Sequence, residues 1–300
     1  MTKRRGSIAL LAIFIFAIIS LLALVIFSRL EDNFLLLRTE LDEKQSSYNS
    51  ESLAYLAEEE LKRDQIEKVV EVRGKFNLPV PDFNGSTLKK AEMFPFIEKG
   101  SYTQVQLEVQ SSYKSIPSTA VLRFKAVHPI FEQEDGVIST KEMKERGVYD
   151  TWQKTLADSF IKEPKSWVVR WKTDKPSTLK KEGRNFTQVF EDESQASLAP
   201  IAHQLRWEVA APTVLDAPMD IKGVLWLKKG ASIKGDVNVR GVVIREEGSL
   251  VEGQMIVDGL LIGEKDEAVH VNYQPRNVEE VFCFFDDFIQ PHDFRLKKHY

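Results

Sequence analysis

Residues 220–273 carry an internal repeat with a period of 18, and a repeat that short leaves few folds open. Aligned on glycine, residues 220–237 read DIKGVLWLKKGASIKGDV, residues 238–255 read NVRGVVIREEGSLVEGQM, and residues 256–273 read IVDGLLIGEKDEAVHVNY. Gly223, Gly241 and Gly259 coincide, as do Gly230 with Gly248 and Gly235 with Gly253, while the third copy frays, with Asp266 and Val271 in place of Gly. Apolar columns run beside them: Ile221/Val239/Val257, Leu225/Val243/Leu261, Trp226/Ile244/Ile262 and Ile233/Val251/Val269. One such unit cannot bury its own apolar side, but stacked units turn each column into a ladder and the ladders into one narrow core. Glycines at fixed columns suit corners that need a tight bend or φ > 0. The pattern predicts a β-solenoid of about three 18-residue coils.

The other end is equally constrained. From Ser7 to Ser28 there are 22 residues with no charge, no Pro and no Gly. As a helix at about 1.5 Å per residue this reaches roughly 33 Å, enough for a hydrocarbon core of about 30 Å. A cleaved secretory leader has an apolar stretch of about 7–15 residues before a small-x-small site. This run is longer and has no such site beside Val25–Arg29. Lys3, Arg4 and Arg5 precede the span and Arg29-Leu30-Glu31-Asp32 follows it, so the excess of cations puts the N-terminus in the cytoplasm and everything from Arg29 onward outside. Removing Lys3, Arg4 and Arg5 leaves 38 cations against 45 acids outside, a net −7. That balance argues against a nucleic-acid partner, which wants a basic face. A single cysteine, Cys283, excludes an internal disulfide framework and Cys-rich zinc sites.

The stretch Lys3-Arg4-Arg5-Gly6 followed by an uncharged helix resembles the class III leader of type IV pilins and pseudopilins, a short basic peptide ending in Gly and cut on the cytoplasmic face. The resemblance implies processing between Gly6 and Ser7, with a prepilin peptidase and other pilin-like subunits as partners. Typical pilins carry Glu at the fifth mature position; here that position is Leu11, as in minor or tip-complex subunits of the PilX-like group. Further on, Ala54-Tyr55-Leu56-Ala57-Glu58 resembles the AYYLAEAGIE-like run of PilX-like proteins of Gram-positive bacteria, with Glu59-Glu60 replacing the usual Ala-Gly. The likeness covers roughly residues 1–70. Read from the residues alone, Leu53, Leu56, Leu61, Ile66, Val69 and Val70 recur at helical spacing between Glu and Lys, and Gly74 ends the run.

Between Gly74 and about Pro200 the pattern is mixed. Tyr102–Val109 and Ala120–Val127 alternate as strands across a Pro-Ser turn, Thr140–Phe160 spaces Met143, Val148, Trp152, Leu156 and Phe160 for one helix face, and Trp167–Trp171 reads as a strand. The expected fold class is therefore α+β, with an N-terminal transmembrane helix continuing into a helical stalk, an α+β middle domain and a short C-terminal β-solenoid. The expected divisions are a basic leader 1–6, a span 7–28, a stalk 29–74, an α+β domain 75–200, a solenoid domain 201–280 and a tail 281–300 that caps the last coil through Val281–Ile289.

Little in the sequence points to catalysis. There is no Gly-rich phosphate loop, HExxH or G-x-S-x-G, and the five histidines are scattered. Glu246, Glu247 and Glu264 fall at turn positions of the repeat, where solvation accounts for them. Asp286, Asp287, His292 and Asp293 read as polar punctuation around an apolar cap, so neither a metal nor a cofactor is expected. The [IV]-x-G phrasing at 18 residues per coil resembles bactofilins, which polymerise through β-helical cores. A six-residue apolar rhythm resembles hexapeptide transferases, whose His would correspond to His270. The expected function is structural: a minor pilin-like subunit anchored in the cytoplasmic membrane and serving a type IV pilus or competence-type filament. The alternatives are an uncleaved anchored surface protein whose solenoid binds envelope polymer or self-associates and, more remotely, an exported β-helix enzyme acting on polysaccharide.

Overall fold

The computed structural model describes residues 3–72, 74–98, 101–161, 168–182, 185–192, 194–200, 204–282 and 289–298. It begins with α1 (Lys3–Glu59), 57 residues in one helix. From Ser7 to Glu59 the chain has neither Pro nor Gly, so nothing interrupts the backbone ladder. The helix stops at Glu58-Glu59-Glu60, three acids at the negative end of its dipole with no basic residue in the last turn. The stalk thus breaks before Gly74, and the chain restarts as α2 (Arg63–Val72), which carries Asp64 in its first turn.

The end of α1 and all of α2 rest on an antiparallel sheet. Its strands are β1 (Phe76–Asn77), β2 (Ser86–Phe96), β3 (Gln104–Tyr113) and β4 (Ile116–Val127), joined in sequence order. Leu53, Ala54 and Ala57 of α1 and Ile66 and Val69 of α2 are buried against Met93, Leu107, Leu122 and Phe124. The β3–β4 connection is the two-residue turn Lys114-Ser115, with φ of 47° and 67°, the hand of hairpin turn that matches strand twist. The turn therefore precedes Pro117-Ser118, which lie inside β4. Among the described residues the strand on the other side of β4 pairs as far as Ala120, so no described ladder needs the donor that Pro117 lacks.

After the 3-10 turn Pro129–Phe131 come β5 (Val137–Ile138), α3 (Thr140–Glu145) and α4 (Tyr149–Ile161). The single helix expected over 140–160 is split, because Gly147 adopts φ 68°. Ser139 caps α3, accepting the Glu142 N–H at 3.1 Å.

The remainder is the solenoid, of about four turns. Its elements are β6 (Val168–Thr173), β7 (Ser177–Glu182), a hairpin of β8 (Asn185–Phe190) and β9 (Gln195–Pro200), β10 (Gln204–Val209), β11 (Thr213–Leu215), β12 (Met219–Leu227), β13 (Ser232–Lys234), β14 (Val237–Arg245), β15 (Leu250–Glu252), β16 (Met255–Ile262) and β17 (Val269–Tyr273). Parallel pairing runs β6–β10–β12–β14–β16–β17 in one sheet and β7–β11–β13–β15 in another. β12, β14 and β16 register at the 18-residue period, Gly223 against Gly241 against Gly259.

Each long strand bends at that glycine, and its two halves have different surroundings. Before the bend, Asp220-Ile221-Lys222 and Asn238-Val239-Arg240 alternate outward and inward. After it, Val224–Leu227 and Val242–Ile244 are buried on both faces. Their inner residues join the solenoid core, and their outer ones, Val224, Trp226, Val242, Ile244, Leu260 and Ile262, form a second core with Met143, Trp152 and Leu156. Continuous apolar runs are what a parallel strand covered on both sides requires.

Two rungs precede the repeat that the sequence displays. β10 pairs with β12 at the same 18-residue offset, Leu205 against Gly223. β6 pairs with β10 at twice that offset, Val168 against Gln204, because the β8–β9 hairpin is inserted between them. Inside these rungs Trp171 stacks on Trp207 at 4.7 Å and 12°, and Phe186 of the hairpin lies beyond Trp171 at 6.4 Å. Both indole N–H groups are satisfied, Trp171 on Gln188 Oε1 and Trp207 on Thr173 Oγ1, each at 3.0 Å.

Helix α5 (Pro275–Phe282) then packs on β14, β16 and β12. Finally β18 (Ile289–Lys298) crosses to the antiparallel sheet and pairs with β4. The end of the expected capping tail therefore completes the meander, not the solenoid, and residues 283–288 lie outside the described residues. The last rung is closed otherwise: β17 continues the first half of β16, and β5 pairs with its second half, Leu261 against Val137. Replacing Trp207 by Ala removes one end of the aromatic stack and a fully buried indole, and should cost about 3–5 kcal/mol of unfolding free energy, read by urea titration, whereas His270→Ala on the outside of β17 should cost under about 0.5 kcal/mol.

Candidate functional site: the bare helix and the braced solenoid

From Ile8 to Phe27, α1 is not covered by any other described part of the chain. This stretch is apolar, and the helix is long and apolar enough to cross a membrane. Apolar exposure does not end with the uncharged run. Beyond Arg29, Glu31 and Asp32, the side chains of Leu30, Phe34, Leu35, Leu36, Leu37 and Leu41 are also exposed, by 46–69%. Phe34–Leu37 sit about 9–14 Å past Ser28 along the helix, outside the hydrocarbon of a bilayer that ends at Ser28. Four consecutive apolar residues face every direction around the axis, and a helix apolar all round is normally covered all round. Lys3, Arg4, Arg5, Gly6 and Ser7 belong to the first turns, where the structure describes the backbone alone.

The neck is seated on the sheet by polar groups. Ser46, Asn49 and Ser50 are buried. Ser46 donates to the Ile116 carbonyl at 2.9 Å, Asn49 Nδ2 donates to Ser86 Oγ at 2.8 Å, and Ser50 and Ser118 share a hydroxyl contact at 2.9 Å. Lys114 of the β3–β4 turn reaches Asp42 at 2.8 Å. Small side chains let the helix approach the hairpin ends closely, and each hydrogen bond fixes its angle of departure.

The glycine columns fall into two kinds. A Cβ on Gly223, Gly241 or Gly259 would lie 2.0, 2.1 or 1.9 Å from a carbonyl oxygen of the coil beneath, and one on Gly253 would lie 2.5 Å from that of Gly235. A Cβ on Gly235 would press on Leu215 at 2.8 Å. Gly230 and Gly248 sit in open turns at φ 78° and 82° with nothing near. The frayed copy answers the one before it: Arg245 of the second copy, its side chain 6% exposed, occupies the register of Leu227 and pairs with Asp266 of the frayed copy at 2.9 Å, while donating to the carbonyls of Glu264 and Ser249 at 3.1 Å. Asp266 thus answers a buried cation where the other coils have glycine. One period further on, Gly263 relieves crowding in the same column, since a Cβ there would meet the Arg245 carbonyl at 2.2 Å.

A cleft of about 400 Å³ opens between α4 and the outer side of the solenoid, floored by Trp152, Trp226 and Ile244. Glu246 is not simply solvated there. It accepts from Trp226 Nε1 at 3.0 Å and from the Lys229 N–H at 2.9 Å, and Lys228 covers the Trp226 ring at 3.3 Å. His270 is exposed on β17, His203 and His299 lie outside the described residues, as do Cys283, Asp286 and Asp287, and Asp293 is taken by Arg295 at 2.7 Å. Among the described residues no three His, Cys, Asp or Glu side chains gather as metal ligands would.

The meander and solenoid are pinned together at one carbonyl. Tyr102 and Tyr273 both donate to the Phe131 carbonyl, at 3.1 and 3.0 Å. Burial pushes the Tyr273 phenol up to about 12 and holds Tyr102 well above its ordinary value, so both stay protonated donors. Thr103 adds hydrogen bonds from its backbone N–H and its hydroxyl to Glu279 of α5. Next to this junction His128 caps the 3-10 turn, its Nδ1 accepting the Ile130 N–H at 3.1 Å. Burial lowers its pKa below the ordinary 6.5, with the neighbouring His292 and Arg146 adding to the effect. Because the folded pKa lies below the unfolded one, this contribution to stability is complete above about pH 6.5 and declines as pH falls toward the folded value. Thermal unfolding should therefore move down as pH falls below about 6.5, and His128→Asn, which keeps a capping acceptor without a proton to take up, should flatten that slope. Gly241→Ala should cost at least about 3 kcal/mol in the same measurement, whereas Gly248→Ala, strained only by its φ, should cost about 1–2 kcal/mol.

No protein-family model, no curated protein and no solved structure matches this chain.

Proposed function

We propose that the protein is a non-enzymatic, minor pilin-like subunit, anchored by α1 in the cytoplasmic membrane with its C-terminal domains outside, that contributes to the assembly or display of a type IV pilus or competence-type filament. One observation carries the reading: the exposed apolar surface of α1 continues past the uncharged run that is long enough to span a membrane. Leu30, Phe34–Leu37 and Leu41 are bare on the stretch between the span and the seat at Ser46. A helix that merely tethered a domain would be polar there. A helix that leaves the bilayer to pack among other helices needs such a surface, and exposed charges such as Arg38 and Glu40 at its flanks are compatible with neighbours of the same kind.

The basic stretch ending at Gly6 supplies the second support, since it resembles a leader removed on the cytoplasmic face. Lys3, Arg4 and Arg5 hold the N-terminus inside on the same charge rule. The body beyond the neck supports display, because the helix is hydrogen-bonded to the hairpin end of the meander and the meander is joined to the solenoid at the Phe131 carbonyl.

The test is the intact mass and N-terminal sequence of the native membrane-associated chain, with and without its host's prepilin peptidase. A chain that begins at Ser7 only when the peptidase is present is the expected result. A chain that keeps Lys3-Arg4-Arg5-Gly6 in both strains would leave an uncleaved anchored surface protein and end the pilin reading.

A further inference from the structure

The antiparallel sheet has a second face, and it is unlike the rest of the surface. Met93, Leu107, Leu122 and Leu296 share one cross-strand row that enters the core beneath α1 and α2. Strand alternation sends the next row, Phe94, Gln106, Arg123 and Arg295, to the opposite side, followed by the row that begins with Phe96 and Gln104. Phe94 and Phe96 are half-buried at this surface instead of in a core. Arg123 is held flat: its guanidinium lies 3.7 Å from the centroid of Phe96, and its Nε donates to Gln106 Oε1 at 2.7 Å. Lys75 Nζ stands 5.6 Å from the centroid of Phe94. Among the described residues no carboxylate pairs with Arg123, Lys75 or Lys297. Lys90, Lys125 and Arg295, by contrast, have Glu92, Glu132 and Asp293 at 2.6, 2.5 and 2.7 Å. Two further acids border this face: Glu108 accepts from Gln110 at 2.7 Å and Glu98 accepts from Gln104 at 3.0 Å.

We infer that this face binds an acidic polysaccharide, a carboxylate-bearing sugar chain outside the membrane. Three features fit that chemistry together. The aromatic rings of Phe94 and Phe96, two residues apart on one strand and so about 7 Å from each other, offer flat apolar surface on which the C–H faces of sugar rings stack. The amides of Gln106 and Gln104 lie directly across from them; with Gln106 Oε1 held by Arg123 and Gln104 Nε2 held by Glu98, Gln106 offers its Nε2 as donor and Gln104 its Oε1 as acceptor to hydroxyls. The Nη edge of Arg123 is free of any carboxylate and suits one in the two-pronged geometry that guanidinium favours, already oriented by Phe96 and Gln106. The charge balance is local: Glu92, Glu132 and Asp293 are paired with cations, Glu98 and Glu108 keep their charge on neutral amide donors, and Arg123, Lys75 and Lys297 outnumber those two without a carboxylate of their own. A protein partner is the weaker match, because the row beyond Arg123 contributes Val121 only 2% exposed, so the face lacks the open apolar centre that protein interfaces use.

The polysaccharide site does not depend on processing or filament assembly, and its failure would leave that reading intact. The experiment uses the full-length protein in nanodiscs and measures binding of polygalacturonate, with neutral dextran and inorganic polyphosphate alongside, at low and high salt. Expected are polygalacturonate binding that weakens with salt, little binding of dextran, and at least about a ten-fold loss with Arg123→Gln and with Phe96→Thr. Arg123→Lys, which keeps the charge and the fold but loses the two-pronged contact, should also weaken binding, whereas Arg240→Gln on the solenoid should not. Unchanged thermal unfolding is required of each variant used. Polygalacturonate binding unaffected by Arg123→Gln or Arg123→Lys, polyphosphate bound equally well and insensitive to Phe96→Thr, or no binding of polygalacturonate at all would each overturn the inference.

Discussion

A carbonyl oxygen about 2 Å from where a side chain would begin is the constraint on which the rest of this molecule depends. It recurs at Gly223, Gly241 and Gly259, one above another. With no Cβ in the way, successive coils close to the spacing of a parallel ladder at the very point where the strand bends. The bend divides each strand into a half that faces water and a half that faces protein on both sides. The second half creates the outer apolar surface of Val224, Trp226, Val242 and Ile244, and that surface recruits α3, α4 and α5. Without the corner there would be no doubly covered wall, and without the wall nothing to hold the helices that join the solenoid to the meander.

Stability then passes outward through a few polar contacts. The meander is tied to the solenoid by two phenols on one carbonyl and by Glu279 on Thr103, and α1 is tied to the meander by serines and asparagines at the hairpin ends. These are directional bonds between small groups, so they fix angles more than they add free energy. A long helix leaving a body at a fixed angle keeps its exposed apolar length aimed in one direction, which is the geometry a shared bundle of helices asks of each member.

Much of this is legible in the residues, and the failures have physical causes. The 18-residue repeat betrays the three coils in which glycine marks the corner. The two earlier rungs are silent because Leu205 stands at that corner in β10 and because the β8–β9 hairpin doubles the spacing between β6 and β10. Helical periodicity reveals Met143, Trp152 and Leu156 as one face, but not the break at Gly147, which leaves the periodicity nearly in phase. The apolar tail of the chain looks fit to cap a solenoid, yet β18 pairs with β4, a long-range choice that composition does not encode. In the candidate site, the uncharged run is plain from Ser7 to Ser28, whereas Phe34–Leu37 is hidden by the charges that precede it. Ser46, Asn49 and Ser50 read as ordinary polar helix positions; only the hairpin ends folded over them reveal a seat. Glu246 likewise reads as a solvated turn residue, and its bond to Trp226 depends on two coils being stacked.

The proposed role turns on whether the bare stretch of α1 after the uncharged run is an interface between helices. Site-specific photocrosslinking in native membranes tests this most directly, with a photoreactive residue at Leu36 and, for comparison, at Leu22 within the span. Leu36 is expected to yield adducts with a second single-pass subunit carrying the same kind of leader, while Leu22 also labels lipid. Adducts from Leu36 with lipid alone, or none with protein, would show that the apolar collar is not covered by other helices and would contradict the pilin-like role.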